Sequence, residues 1–91
     1  MIRTSPTSGN VKVTFALPLN LADGRCSVVG DFNQWIPGKH ELRKRTNGTR
    51  SISVTVPKGT RLRFRYLGEN GNWFNDPDHS DLEGTDNVLT V

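Results

Sequence analysis

Ninety-one residues leave room for one domain with a single thin core and too little interior for a deep catalytic cleft. A hydrophobic fraction of 33% suits a two-sheet protein in which only the inward half of each strand is apolar. The net charge of +3, with basic residues crowding the middle and acidic ones the last quarter, singles out no partner class, and no stretch approaches the roughly 18 apolar residues of a membrane span.

Residues 1–10 are polar and rich in Ser, Thr, Pro and Gly, with no apolar stretch of the kind a signal peptide needs. They read as a flexible arm ahead of a domain at 11–91. Cys26 has no cysteine partner for an internal disulfide, and the expected location is cytoplasmic. From 11 to 17, Val11, Val13, Phe15 and Leu17 recur at period two, the pattern of a half-buried strand. A short apolar piece at 26–29 ends at Gly30-Asp31 and feeds a surface loop through Asn33, Ile36, Pro37 and Gly38.

Asn47-Gly48 signals a hairpin with a type I′ turn, after which Ile52, Val54 and Val56 alternate against Ser51, Ser53 and Thr55. Pro57-Lys58-Gly59 turns the chain into a strand whose Leu62, Phe64 and Tyr66 alternate with Arg61, Arg63 and Arg65. Asn70-Gly71 closes another hairpin before Trp73-Phe74. Residues 76–86 are too rich in Asp, Ser, Pro and Gly to be regular, and 88–91 supply a last strand. About seven short strands without helical periodicity predict an all-β sandwich or a small barrel.

Trp35 and Trp73 both stand beside turns. Buried, they would plug the ends of the sandwich. Exposed, each indole would cover the apolar C–H face of a pyranose while neighbouring amides and guanidinium groups serve its hydroxyls. Phe32 and Phe74 can fill the core in their place. Arg63 and Arg65, on the polar side of their strand, are candidate hydroxyl donors, or simply a solvated face. Asn33 and Asn87 are the foremost candidate amides, followed by Gln34, Asn70 and Asn72, although loop asparagines usually serve turns.

The acids Asp76, Asp78, Asp81, Glu83 and Asp86 invite a glycosidase reading, but an exposed loop on a small domain lacks the cleft that would raise one carboxyl pKa. The same stretch lacks the glycine and glutamate of an EF-hand. His40, His79 and Cys26 are too scattered for zinc, and no glycine-rich phosphate cradle is present, so no metal or cofactor is expected.

The run Val28-Val29-Gly30-Asp31-Phe32-Asn33-Gln34-Trp35 resembles the entry motif of the family 48 carbohydrate-binding modules, the isoamylase N-terminal or early set domains, which include the glycogen-binding domain of the AMP-activated protein kinase β subunit. Leu42-Arg43, Pro57-Lys58-Gly59, Arg63-Phe64-Arg65-Tyr66, Gly71-Asn72-Trp73-Phe74, Asp76-Pro77 and Asn87-Val88 extend the likeness in order across 11–91. The sequence departs from the family's pattern at Asp86 and at Gly84.

The resemblance implies an immunoglobulin-like antiparallel β-sandwich without catalysis of its own. It implies binding of an α-1,4- or α-1,6-linked glucan such as glycogen, starch or a maltooligosaccharide, with Trp35 and Trp73 stacking on glucose units. Arg65 or Arg63 takes the place of the family's basic residue, and Leu82 that of its late-loop leucine. A second expectation is a structural domain docked on a glucan-metabolising enzyme of the debranching or branching type. The third, nucleic-acid binding through the basic residues, is the least favoured; neither nucleic acid nor membrane is an expected partner.

Overall fold

The computed structural model describes residues 2–21, 24–79 and 81–91, with the main chain alone at Leu21 and Asn70. Among them are nine strands: β1 (Ile2–Pro6), β2 (Asn10–Pro18), β3 (Cys26–Gly30), β4 (Arg43–Lys44), β5 (Thr49–Pro57), β6 (Arg61–Gly68), β7 (Trp73–Phe74), β8 (Leu82–Glu83) and β9 (Asp86–Thr90). They form two antiparallel sheets, ordered β1-β2-β5-β4 and β3-β6-β9-β8, with β7 also paired to β6. Omitting the two-residue ribbons β7 and β8, this is the strand order of a seven-stranded immunoglobulin sandwich.

Alternation places the core between the sheets. Val13, Phe15 and Leu17 of β2 face Val28 of β3 and Leu62, Phe64 and Tyr66 of β6, all buried. A chain of rings runs through the middle: Phe32 stacks on Phe15 at 5.7 Å, Phe15 meets Phe64 edge-on at 5.0 Å, and Tyr66 lies 5.4 Å from Phe74. Phe32 and Phe74 therefore pack against the core, as the sequence suggests. Each such aromatic pair adds about 0.5–1.5 kcal/mol beyond its buried area.

Two expectations about local structure are corrected. The chain start is not a loose arm: Ile2–Pro6 pairs along its whole length with β2, from Ile2 opposite Phe15 to Pro6 opposite Val11. The Asn47-Gly48 hairpin does not use a two-residue type I′ turn. Lys44 pairs with Arg50, Arg45 N–H donates to Thr49 O at 2.7 Å, and of the three loop residues only Gly48 takes a positive φ, 79°. That is the three-residue loop with glycine in the left-handed position. The β6–β7 connection repeats it, with Gly68 N–H bonded to Asn72 O and Gly71 at φ 74°.

Candidate functional site

Strand β6 is the axis of the site. Its outward residues are Arg61, Arg63 and Arg65; β3 and the turn after it lie along one edge, while β9 and β7 share the other, β9 pairing with 61–64 and β7 with 66–67.

At the β7 end, Trp73 sits opposite Leu67 and is 40% exposed although its neighbour Phe74 packs inward. The Arg65 guanidinium carbon lies 5.9 Å from the centre of the Trp73 ring, within cation–π range. Arg65 Nε–H donates to Asn75 Oδ1 at 3.1 Å, and Asn75 Nδ2–H donates to Thr85 O at 3.0 Å. Indole, guanidinium and amide thus form one continuous outer surface.

Arg63 stands two residues away and is otherwise engaged. Its Nη2–H donates to Asp86 at 2.8 Å and its Nη1 lies 3.8 Å from Glu83, which also pairs with Arg61 and whose carboxyl pKa the Arg61 guanidinium lowers. Of the two arginines named from sequence, Arg65 is the one beside Trp73. Leu82 is 54% exposed on the edge strand β8, in register with Asn87, beyond β9 from that group.

At the β3 end the chain leaves Gly30 through the 3-10 turn Asp31–Asn33 and then places Gln34 and Trp35 at φ 56° and 57°, the left-handed region that costs ordinary residues about 1–2 kcal/mol each. Trp35 N–H donates to Gly30 O and Ile36 N–H to Asn33 O, at 3.0 and 3.2 Å. Glycine is required at 30 for close approach: a Cβ there would collide with Arg63 O and Phe32. Trp35 is half-buried, and its Nε1–H donates to Asp31 Oδ1 at 2.9 Å.

Asn33 and Asn87, named from sequence as sugar ligands, are corrected to structural roles. Both are fully buried. Asn33 Oδ1 accepts Gly30 N–H, and its Nδ2 donates to Val28 O and to His40 Nδ1. Asn87 Oδ1 accepts Asp76 N–H while its Nδ2 donates to His79 O. Each amide pins a loop that carries no repeating ladder of its own. Gln34 and Asn72 are exposed, and the Asn70 side chain lies outside the described residues.

The acids of 76–86 divide similarly. Asp76 is buried and accepts the Tyr66 hydroxyl at 2.6 Å, and burial together with this bond pushes the Tyr66 pKa far up; Asp86 and Glu83 are held by arginines. Among the described residues no cluster of three or more His, Cys, Asp or Glu has metal-site geometry, and no helix is long and apolar enough to cross a membrane. Asn75 is a partner that the sequence did not point to, whereas His40 was weighed there only as a zinc ligand and Asp31 only as part of the run Val28–Trp35.

Over 48 residues, 52% of this chain, the sequence is 42% identical to the 1,4-alpha-glucan branching enzyme GlgB of Rhodopseudomonas palustris (strain HaA2). The match spans 7% of that enzyme, so the chain corresponds to a small part of it. No protein-family profile matches the chain.

Proposed function

We propose that this domain is a non-catalytic module that holds α-glucan on the outer face of the β3-β6-β9-β8 sheet. The observation that carries the reading is Trp73, a large ring left 40% exposed on a short strand with Arg65 beside it and Asn75 next to both. A glucose unit against that ring would lose its apolar face from water, while the guanidinium and amide meet its hydroxyls. Trp35, half-exposed at the other side of β6, supplies a second ring for a later unit of the same chain. Leu82, at the far edge, is a peripheral contact for a curved glucan.

A platform of this kind, open and burying little area, gives micromolar to millimolar dissociation constants, about −8 to −4 kcal/mol. The test is an amide NMR titration with maltoheptaose or β-cyclodextrin, following both indole N–H signals. Trp73→Ala and Trp35→Ala are each expected to weaken binding at least tenfold with the remaining amide spectrum intact. A variant that binds as the parent does would remove that ring from the site.

The likeness to a segment of a branching enzyme favours a second reading, a structural domain seated on a glucan-acting catalytic domain. In that case no indole signal moves at millimolar sugar.

A further inference from the structure

Antiparallel pairing between β3 and β6 runs from Cys26–Gly68 to Gly30–Phe64 and stops there, because the chain turns away into Asp31–Asn33. The next donor on that edge, Arg63 N–H, would be left without a strand partner. Asp31 takes it with a side-chain oxygen: Oδ2 accepts Arg63 N–H at 3.3 Å. Its other oxygen, Oδ1, accepts the Trp35 indole N–H at 2.9 Å. One carboxylate therefore ties the indole to the main chain of the strand that, two residues on, carries Arg65 against Trp73.

We infer that Asp31 is the positioning residue of the glucan platform: it fixes the Trp35 ring relative to β6 and takes up the indole N–H, so that Trp35 offers a ligand its ring face rather than a hydrogen bond. This inference rests on the glucan-binding reading. The physical logic is preorganisation. A half-exposed indole on a turn has two side-chain torsions to immobilise when a sugar stacks on it, and a tether already in place removes that cost from binding. The main chain alone does not hold the ring, since the backbone bonds of Trp35 and Ile36 to Gly30 and Asn33 fix Cα but leave the side chain to rotate. A charged acceptor suits the task because its bonds are about twice as strong as neutral ones and it has an oxygen for each donor.

The experiment uses Asp31→Ala and Asp31→Asn in the whole chain, with two readouts. The first needs no ligand: the Trp35 indole N–H chemical shift and its hydrogen-exchange protection. Both are expected to move to values typical of free indole in Asp31→Ala. Asp31→Asn, which keeps the shape but has one acceptor for two donors, should restore either the indole or the Arg63 amide and not both. The second readout is affinity for maltoheptaose, expected to fall roughly threefold to tenfold in Asp31→Ala, the cost of one newly mobile side chain. Asp31→Asn should fall less when it is the indole that stays bound.

Unchanged indole signals in both variants would overturn the tether, and an unchanged affinity with a released indole would overturn its role in the platform. If Asp31→Ala proves poorly folded, the Asp31→Asn comparison of the two N–H signals decides alone. If the parent takes up no sugar at all, the glucan reading falls and the platform role with it, while the indole signals still decide whether Asp31 holds Trp35.

Discussion

Gln34 and Trp35 are consecutive non-glycine residues in the left-handed region, and three separate devices hold them there: the Trp35 N–H bond to Gly30 O, the buried Asn33 amide, and the Asp31 carboxylate. Strain at two consecutive residues persists only where the surrounding bonds hold the backbone in place, as these do. Replacing Gln34 by glycine removes the steric cost but adds freedom to the unfolded chain, so a net gain of about 0.5 kcal/mol is expected. Gln34→Val should lose about 1–2 kcal/mol, because a β-branched side chain fits this region worst. Denaturant unfolding of the two variants checks the order; a valine variant as stable as the glycine one would show that position 34 is not strained.

The neighbouring His40 has a protonation state dictated by geometry. Asn33 has its oxygen on Gly30 N–H and donates from Nδ2 to Val28 O, so it can only donate to His40 Nδ1, which must then carry no proton. Partial burial lowers the His40 pKa below its ordinary 6.5, and Lys39 adds to the shift. The sign follows. Above about 6.5 folded and unfolded chains are both neutral at this residue and the contribution is fully present; as the pH falls from there through the lowered folded value, the unfolded chain takes up the proton first and stability is lost. The slope of unfolding free energy between pH 7.5 and 5 should flatten in His40→Gln, which has no ring to titrate. An identical slope would remove His40 from the account.

At the level of elements, legibility followed apolar periodicity. The strands β2, β5 and β6 are evident in the sequence because their alternate residues are Val, Ile, Leu, Phe or Tyr, and the turns because Gly48, Gly59 and Gly71 each take a positive φ. Strand β1 was not legible because it is an edge strand. Its main chain pairs with β2, but of its side chains only Ile2 packs on the core, so Arg3, Thr4, Ser5 and Pro6 read like any polar terminus. Asn33 and Asn87 misled for a related reason: an asparagine that buries its amide to pin a loop has the same letter and setting as one that faces solvent. The outward placement of Trp73 was easier to read, since Phe74 beside it takes the inward side of the strand. Removing residues 1–6 is expected to cost about 2 kcal/mol, from the lost pairing hydrogen bonds and the burial of Ile2. The fold and the indole signals of Trp35 and Trp73 should survive, because β1 lies on the other sheet. A truncated chain of parental stability would mean that β1 adds nothing.

Across the whole molecule, charge is divided between the sheets. Residues 2–18 and 43–57, which hold β1, β2, β4 and β5, contain six cations (Arg3, Lys12, Arg43, Lys44, Arg45 and Arg50) and no acid, so all nine acidic residues stand among the other six cations. The proposed glucan face belongs to the mixed half, where Arg61 and Arg63 are paired with Glu83 and Asp86, and its own ligand is uncharged. The two faces should therefore answer differently to salt. Exposed charges separated by more than about 10 Å are screened at 0.1 M, and a polyanion bound through phosphate or sulfate contacts gives up counterions that added salt restores. Between 50 and 500 mM sodium chloride, maltoheptaose affinity is expected to change by less than about twofold, whereas any binding of heparin or a single-stranded oligonucleotide should fall at least tenfold. The double variant Arg43→Glu, Arg45→Glu should abolish the polyanion binding and leave the sugar titration as it was. If maltoheptaose affinity instead fell in parallel with heparin, the ring would not be the seat of binding, and the platform around Trp73 would have to give way to a site built on the basic sheet.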